Sequence, residues 1–177
     1  NGILDYDNQT MEATFGAGSR LGDLGSPLFE IGQGMLNLPD IDRQTVAGAT
    51  ATGTHGTGIN FKSLSGYITG LRLITADGDI KELDASQKDL FDAARVNLGA
   101  LGVVTRIKMQ NRKAYKLKKR EWTAPTEDML RDFQMLASKY RHFEIFPLVY
   151  SDYSLVLAID ETEQPIGETI IPAEEVE

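Results

Sequence analysis

The sequence predicts an α+β fold: a mostly antiparallel sheet flanked by helices, followed by a second, shorter sheet-and-helix unit. Three observations carry this. Strand-like and helix-like segments mix without the strict alternation of a βαβ chain. The stretch "YITGLRLITADGDIKEL" at 67–83 sets two apolar runs around Asp77-Gly78, which needs antiparallel pairing across a tight turn. The pattern then restarts near Ala114, so residues 1–113 and 114–177 read as separate domains.

Each element follows in chain order. Ile3–Asp7 and Met11–Phe15 are short strand-like runs joined through Asn8-Gln9 as a hairpin. From Ser19, placed as an N-cap, Leu21, Leu24, Leu28 and Ile31 recur at helical spacing, while Gly22, Gly25 and Pro27 predict a broken helix. Residues 33–44 form an irregular approach to the small-residue run discussed below. After the 67–83 hairpin, "SQKDLFDAARVNLG" predicts a helix with Ser86 at its start and Gly99 just past its end. Leu90, Phe91, Ala94 and Leu98 make its apolar stripe, and "GVVTRIKM" at 102–109 is a strand. The second unit shows a strand in "AYKLKKREW", then a helix opened by Pro125-Thr126. Met129, Leu130, Phe133, Leu136 and Tyr140 line that helix, and two strands, "HFEIFPLVY" and "YSLVLAID", follow it. "ETIIPAEEVE" at 168–177 reads as an edge. There are no internal repeats.

Composition bounds the function. A chain of 177 residues can build one substantial core or two small ones. Zero cysteines exclude disulfides, thiol catalysis and cysteine metal sites. A formal net charge of -8 argues against nucleic acid as a partner, because phosphate contacts need clustered Lys and Arg. The one basic run, Arg106 to Arg120, alternates as strands do, and reads as a solvated face or domain link. No apolar run is long enough to span a bilayer, and a cytoplasmic protein is expected. The chain starts at Asn1, in a strand already under way, and reads as a piece of a longer protein.

The least ordinary stretch is "TVAGATATGTHGTG" at 45–58, where only Val46 and His55 exceed threonine in size. Glycine admits close backbone approach, and threonine hydroxyls and free N–H groups suit phosphate oxygens, above all at a helix start. Composition leaves two readings open here, a flexible linker and a surface for a pyrophosphate-bearing ligand. No Lys follows the glycines, so a Walker A loop is excluded. The order G-x-x-G-x-G at 53–58 is also not the Rossmann fingerprint.

"LPDIDRQTVAGATATGTHGTG", the hairpin after it and "DLFDAARVNLGALGVVTRIKM" together resemble the FAD-binding domain of the vanillyl-alcohol oxidase / p-cresol methylhydroxylase (PCMH) flavoproteins. Within that family they look most like the sugar-lactone and alditol oxidases. Gly-Thr-His-Gly at 53–56 and "LGALGVVT" at 98–105 are the most specific elements. The resemblance implies a PCMH-type FAD domain lacking its upstream segment, followed by the start of a substrate-binding cap. It implies Thr45 beside the flavin ring and the substrate. Thr50, Gly53, Thr54, His55 and Gly56 would contact FAD, mainly through backbone groups, and Val104 would meet the adenine end. Gly99 and Gly102 would let the preceding loop pass tightly. On this reading residues 45–58 are bare because the dinucleotide lies on them.

The implied activity is oxidation of an alcohol group of a polyol, sugar or sugar lactone by hydride transfer to FAD, with electrons passing to oxygen. The proton-handling groups would lie in the rest of the cap and in a His-Trp-Gly-Lys-like segment that this chain lacks, so no catalytic residue is assigned within it. Trp122 is not followed by Gly-Lys. His55 reads as a cofactor contact or loop-ordering residue rather than a base, and His142 as a strand residue. Asp40 and Asp42 read as turn residues, with Asp40 also near the flavin in relatives, and no metal is expected. A non-catalytic FAD- or nucleotide-binding or scaffold domain that keeps the fold without turnover is the competing reading.

Overall fold

The structure, a computed structural model, describes residues 1–167. Strands β1 (Ile3–Asp7) and β2 (Glu12–Gly16) pair antiparallel, with Ile3 opposite Phe15 and Asp7 opposite Glu12. Their connection is a longer turn than Asn8-Gln9, and it closes with Met11 at φ 55°. A 3-10 turn at Leu21–Asp23 precedes α1 (Gly25–Glu30), so the predicted helix is indeed broken. Ser19 does not cap it. The first turn starts at Arg20 without a side-chain cap, and the Ser19 hydroxyl instead accepts from the Gly2 N–H at 2.6 Å.

Strand β3 (Gln33–Met35) and helix α2 (Val46–Ala51) come next, the helix lying inside the small-residue run. The hairpin is β4 (Ile68–Ile74) and β5 (Ile80–Asp84). Its turn spans more than Asp77-Gly78: Gly78 N–H donates to Thr75 O and Thr75 N–H to Asp79 O, both at 3.0 Å. Only Gly78 of the pair takes a positive φ.

Helix α3 (Lys88–Arg95) is shorter than the pattern predicts. Asp84, not Ser86, starts the turn before it, through a capping box with Gln87. The Ser86 hydroxyl and backbone N–H hold the Asp84 carboxyl below the usual carboxylate range. Phe91 and Ala94 are buried as expected; Leu90 lies on the solvent side of the helix, and Leu98 is exposed because it falls beyond the helix end.

Strand β6 (Val103–Lys113) is the longest, and the sheet runs β1-β2-β6-β4-β5 with β3 also paired to β6. Alternation along β6 buries Ile107 and Met109 and leaves Arg106 and Lys108 on the other face. The buried face carries Phe15, Leu71, Leu73, Ile107 and Met109 against Leu21, Leu24, Leu28, Val46, Ala49 and Phe91 from the helices and turns. The opposite face is polar, with cross-strand ion pairs Arg72–Glu82 and Lys108–Glu12.

A second compact unit comprises residues 57–60 and the chain from Tyr115 onward. Its sheet runs β7-β9-β8, from β7 (Leu117–Pro125), β8 (His142–Pro147) and β9 (Tyr153–Glu161), all antiparallel. Helix α4 (Thr126–Lys139) packs Met129, Leu136 and the following Tyr140 with Trp122, Phe143 and Val156. Leu130 and Phe133 of the predicted stripe are exposed, and Ala137 takes the buried position. Residues 168–177, expected as an edge, lie outside the described residues. Among those described, no helix is long and apolar enough to cross a membrane.

The turn before β6 depends on Gly102, whose φ is 134° and whose added Cβ would run into the Ile74 carbonyl oxygen. Gly99, at φ 78°, has open space around it. Gly102→Ala should therefore cost about 3 kcal/mol and Gly99→Ala about 1 kcal/mol. Urea unfolding of both variants checks this difference.

Candidate functional site

Residues 45–58 begin with a helix whose start is already occupied. Thr45 caps α2, its Oγ1 accepting from the Gly48 N–H at 3.1 Å. Val46 N–H donates to Ser19 O, Ala47 N–H to Ala17 O and Ala49 N–H to Thr45 O. Three of the donors that a helix start usually leaves open, at Val46, Ala47 and Gly48, are thus spent within the protein, and the Ala49 bond is the first of the helix itself. The free donors lie past the helix end instead.

There the chain is pinned and then released. Gly53, at φ 70°, donates to Thr50 O, while Thr54 donates to Ala49 O and accepts from Leu64 N–H. The next two backbone N–H groups, of His55 and Gly56, meet no acceptor among the described residues. The His55 ring is exposed, and its Nδ1 lies 3.0 Å from Gly56 O. A carbonyl can only accept, so Nδ1 carries a proton. Hydroxyls of Thr52 and Thr54 lie beside this segment, 3.3 Å apart, with Gln44 Nε2 3.4 Å from the Thr54 hydroxyl.

The run is bare for two reasons. On one face Val46, Ala49 and Thr50 are buried, and the Thr50 hydroxyl turns back to Val46 O at 2.8 Å. Gly56 crosses the 37–38 backbone so closely that a Cβ would overlap Leu38 O and sit 2.7 Å from Asn37 Oδ1. On the other face Gly48, Thr52 and His55 are exposed. Protein packing thus accounts for the inner positions, and the outer ones remain a surface without bulk.

The second predicted stretch meets the first. Leu98, at φ 51°, donates its N–H to Ala51 O at 3.1 Å, setting the 97–102 loop against the end of α2. Asn97, buried and not anticipated from sequence, holds this loop. Its Nδ2 donates to Ala94 O at 2.8 Å and its Oδ1 accepts from Gly99 N–H at 2.6 Å. An Asn just past a helical run, followed by Leu-Gly, was the available signal. Val96, Leu98, Leu101 and Val103 expose apolar side chains around the loop. Val104 stands opposite Leu73 in the β4–β6 ladder, beside a register shift.

Other candidates stay apart. Asp40 is exposed, and the Asp42 carboxylate lies against Gly22 and pairs with Arg43 at 3.7 Å in solvent. No group of three or more His, Asp or Glu among the described residues could hold a metal. The donor set at 54–56, two adjacent uncommitted N–H groups beside the Thr54 hydroxyl, fits pyrophosphate oxygens. The exposed apolar side chains at 96–103 fit a flat ring. Thr45→Val should remove the cap and lower stability by about 1 kcal/mol, with Thr45→Ser neutral, as thermal unfolding would show.

Known proteins resemble this chain in sequence and in fold. Residues 1–84 match the family model described as the FAD binding domain. An L-gulono-1,4-lactone dehydrogenase of Mycobacterium tuberculosis is 37% identical over 164 residues, covering 92% of this chain and 38% of that protein. L-gulonolactone oxidases of Scyliorhinus torazame and Bos taurus are each 30% identical, over 96% and 93% of this chain and 39% and 38% of theirs. The chain therefore spans about two fifths of the length of these curated relatives. Among solved structures, a cholesterol oxidase of Brevibacterium sterolicum superposes with a TM-score of 0.83 at 18% identity, covering 94% of this chain and 35% of that one. That likeness shows the shared α+β fold.

Proposed function

We propose that this chain is part of an FAD-binding flavoprotein of the vanillyl-alcohol oxidase / p-cresol methylhydroxylase type, in the sugar-lactone oxidase branch, and that its parent protein oxidises a sugar lactone, sugar or polyol at an alcohol carbon. The observation that carries the reading is the meeting of the 45–58 and 97–102 segments, which sets free N–H donors and an apolar rim on one side of unit one.

Bound FAD supplies the hydride acceptor. The chain's own residues would bind and orient it. His55 and Gly56 N–H groups, with the Thr54 hydroxyl, would hold pyrophosphate oxygens, whereas the Thr52 hydroxyl donates back to Gly48 O. Thr50 and Gly53 would act by shaping the turn, since the Thr50 hydroxyl is bonded to its own helix. Thr45 keeps its hydroxyl proton available while its oxygen accepts from Gly48, so it can donate toward a substrate oxygen near the ring. Val104 and the apolar rim of its loop would face the adenine. Residues 1–113 are proposed as the later part of the FAD-binding domain, and 114–177 as the beginning of the substrate cap. Molecular oxygen is the proposed electron acceptor.

Visible absorption of the purified full-length parent, after adding FAD and removing the excess, tests this. Flavin bands are expected to persist. A Thr54→Val, Gly56→Val double variant should weaken retention by about tenfold or more, the scale of one or two lost hydrogen bonds plus a displaced loop. Addition of L-gulono-1,4-lactone should bleach the bands, and oxygen should restore them. A wild-type parent that stays colourless overturns the reading.

A further inference from the structure

Leu98 is a residue that folding alone does not explain. Its backbone is left-handed, at φ 51°, where a leucine Cβ crowds the following carbonyl oxygen and a glycine would sit freely. Its side chain is 74% exposed, so it adds nothing to the core. A glycine does follow, at position 99, where φ is 78°. Stability would favour glycine at both positions. A bulky side chain kept in water on a strained backbone points to a ligand that covers it.

The conformation is held by other residues. Asn97, 8% exposed, donates from Nδ2 to Ala94 O at 2.8 Å and accepts at Oδ1 from Gly99 N–H at 2.6 Å. Its own carbonyl accepts from Ala100 N–H at 2.8 Å, and Leu98 N–H reaches Ala51 O at 3.1 Å. These bonds use the Asn97 amide and the backbone around Leu98, and none uses the Leu98 side chain. Val96 Cγ1 lies 3.9 Å from where a Cβ on Gly53 would stand, so the apolar rim adjoins the turn that leads to the free N–H groups of His55 and Gly56. All of these residues belong to the first unit.

We propose that Leu98 is a contact residue for the adenine ring of FAD, and that Asn97 is the positioning residue that presents it. This rests on the cofactor reading given above, which turns Val104 and the rim of its loop toward the adenine. The ring is flat and its faces are weakly polar. A branched side chain standing off a rigid loop can cover one face, while the ring takes the same side chain out of water. Because the Asn97 bonds hold the loop before the ligand arrives, its backbone does not have to be ordered on binding.

The test uses the full-length parent, stripped of cofactor and reloaded, with ADP as a competitor that carries the adenine and lacks the flavin. Leu98→Gly keeps the backbone conformation and removes only the side chain. Its Tm should hold or rise, its Kd for ADP and for FAD should rise about fivefold, and the circular dichroism of the bound flavin band should stay as in wild type. Leu98→Met restores apolar bulk and should bind ADP within about twofold of wild type. Asn97→Ala should lose about as much ADP affinity as Leu98→Gly although Leu98 is intact, with a lower Tm. A Leu98→Gly variant with wild-type ADP affinity overturns the proposal, as does a Leu98→Met variant as weak as Gly or a folded Asn97→Ala variant as tight as wild type. If Asn97→Ala does not fold, Asn97→Asp decides the positioning role. It keeps the acceptor for Gly99 N–H and lacks the donor to Ala94 O, so ADP affinity should fall about threefold, and unchanged affinity overturns that role. A wild-type parent that holds FAD but is not competed by ADP also overturns the proposal and leaves the function above standing. A wild-type parent that binds no FAD is a different result, because it removes that function and this role with it.

Discussion

Strand β6 is the constraint on which the first unit closes. Its eleven residues pair with β2 on one side and β4 on the other, and its last three pair with β3. Those partners come from three separate parts of the chain, so no hairpin alone could place them. The same strand reaches the 45–58 run by backbone bonds. Thr105 O accepts from Ala17 N–H, Ala17 O from Ala47 N–H, and Ser19 O from Val46 N–H, all at 2.8 to 3.0 Å. The helix start is thus hung from the sheet through residues 17–19. Buried backbone groups need partners, and here satisfying them is what fixes the helix.

That arrangement explains where a ligand can and cannot be held. A free helix start is a common anion site, but α2 spends its first donors on the sheet-bound segment and on Thr45. What remains is the short turn after it, where two N–H groups in succession lack acceptors among the described residues. Small side chains serve both faces. Inside, bulk would push α2 off Phe15, Ile107 and Met109, and at Gly56 it would collide with Leu38 O. Outside, Gly48 and Thr52 leave the backbone approachable.

Much of this is legible in the sequence, and the misses have physical causes. Alternation in 102–109 and the two apolar runs around Asp77-Gly78 report real strands because one sheet face is buried and the other is wet. The same periodicity fails for Leu90, Leu98, Leu130 and Phe133. A helical stripe predicts which residues share a face, but not where the helix stops or how wide the packed face is. Leu98 lies beyond the end of α3 and takes a left-handed backbone. Caps at Ser19 and Ser86 were misplaced because a hydroxyl can find a distant partner, as Ser19 does with Gly2, or because a neighbouring carboxylate caps first, as Asp84 does. The glycine loop was visible as a composition anomaly. The Asn97 bonds were not, since they become evident only when the fold sets their partners in reach.

On the function proposed above, an acidic chain has to hold an anionic dinucleotide, which presents an electrostatic problem. The formal charge is -8, yet from Gln44 to Phe61 the sequence contains no charged side chain. Opposite charge is therefore not what the loop offers. Backbone N–H groups and hydroxyls carry partial charges that are fixed in direction by the fold, and they cost no reorganisation when an anion arrives. A flexible lysine would add attraction but would also have to be ordered and desolvated, losing side-chain entropy on binding. A neutral loop avoids that loss, but only if its donors are already aimed. This is why the bonds that hold Thr54 to Ala49 O and to Leu64 N–H matter more here than they would in a cationic site. With no net charge to compensate for poor geometry, the geometry has to supply the affinity.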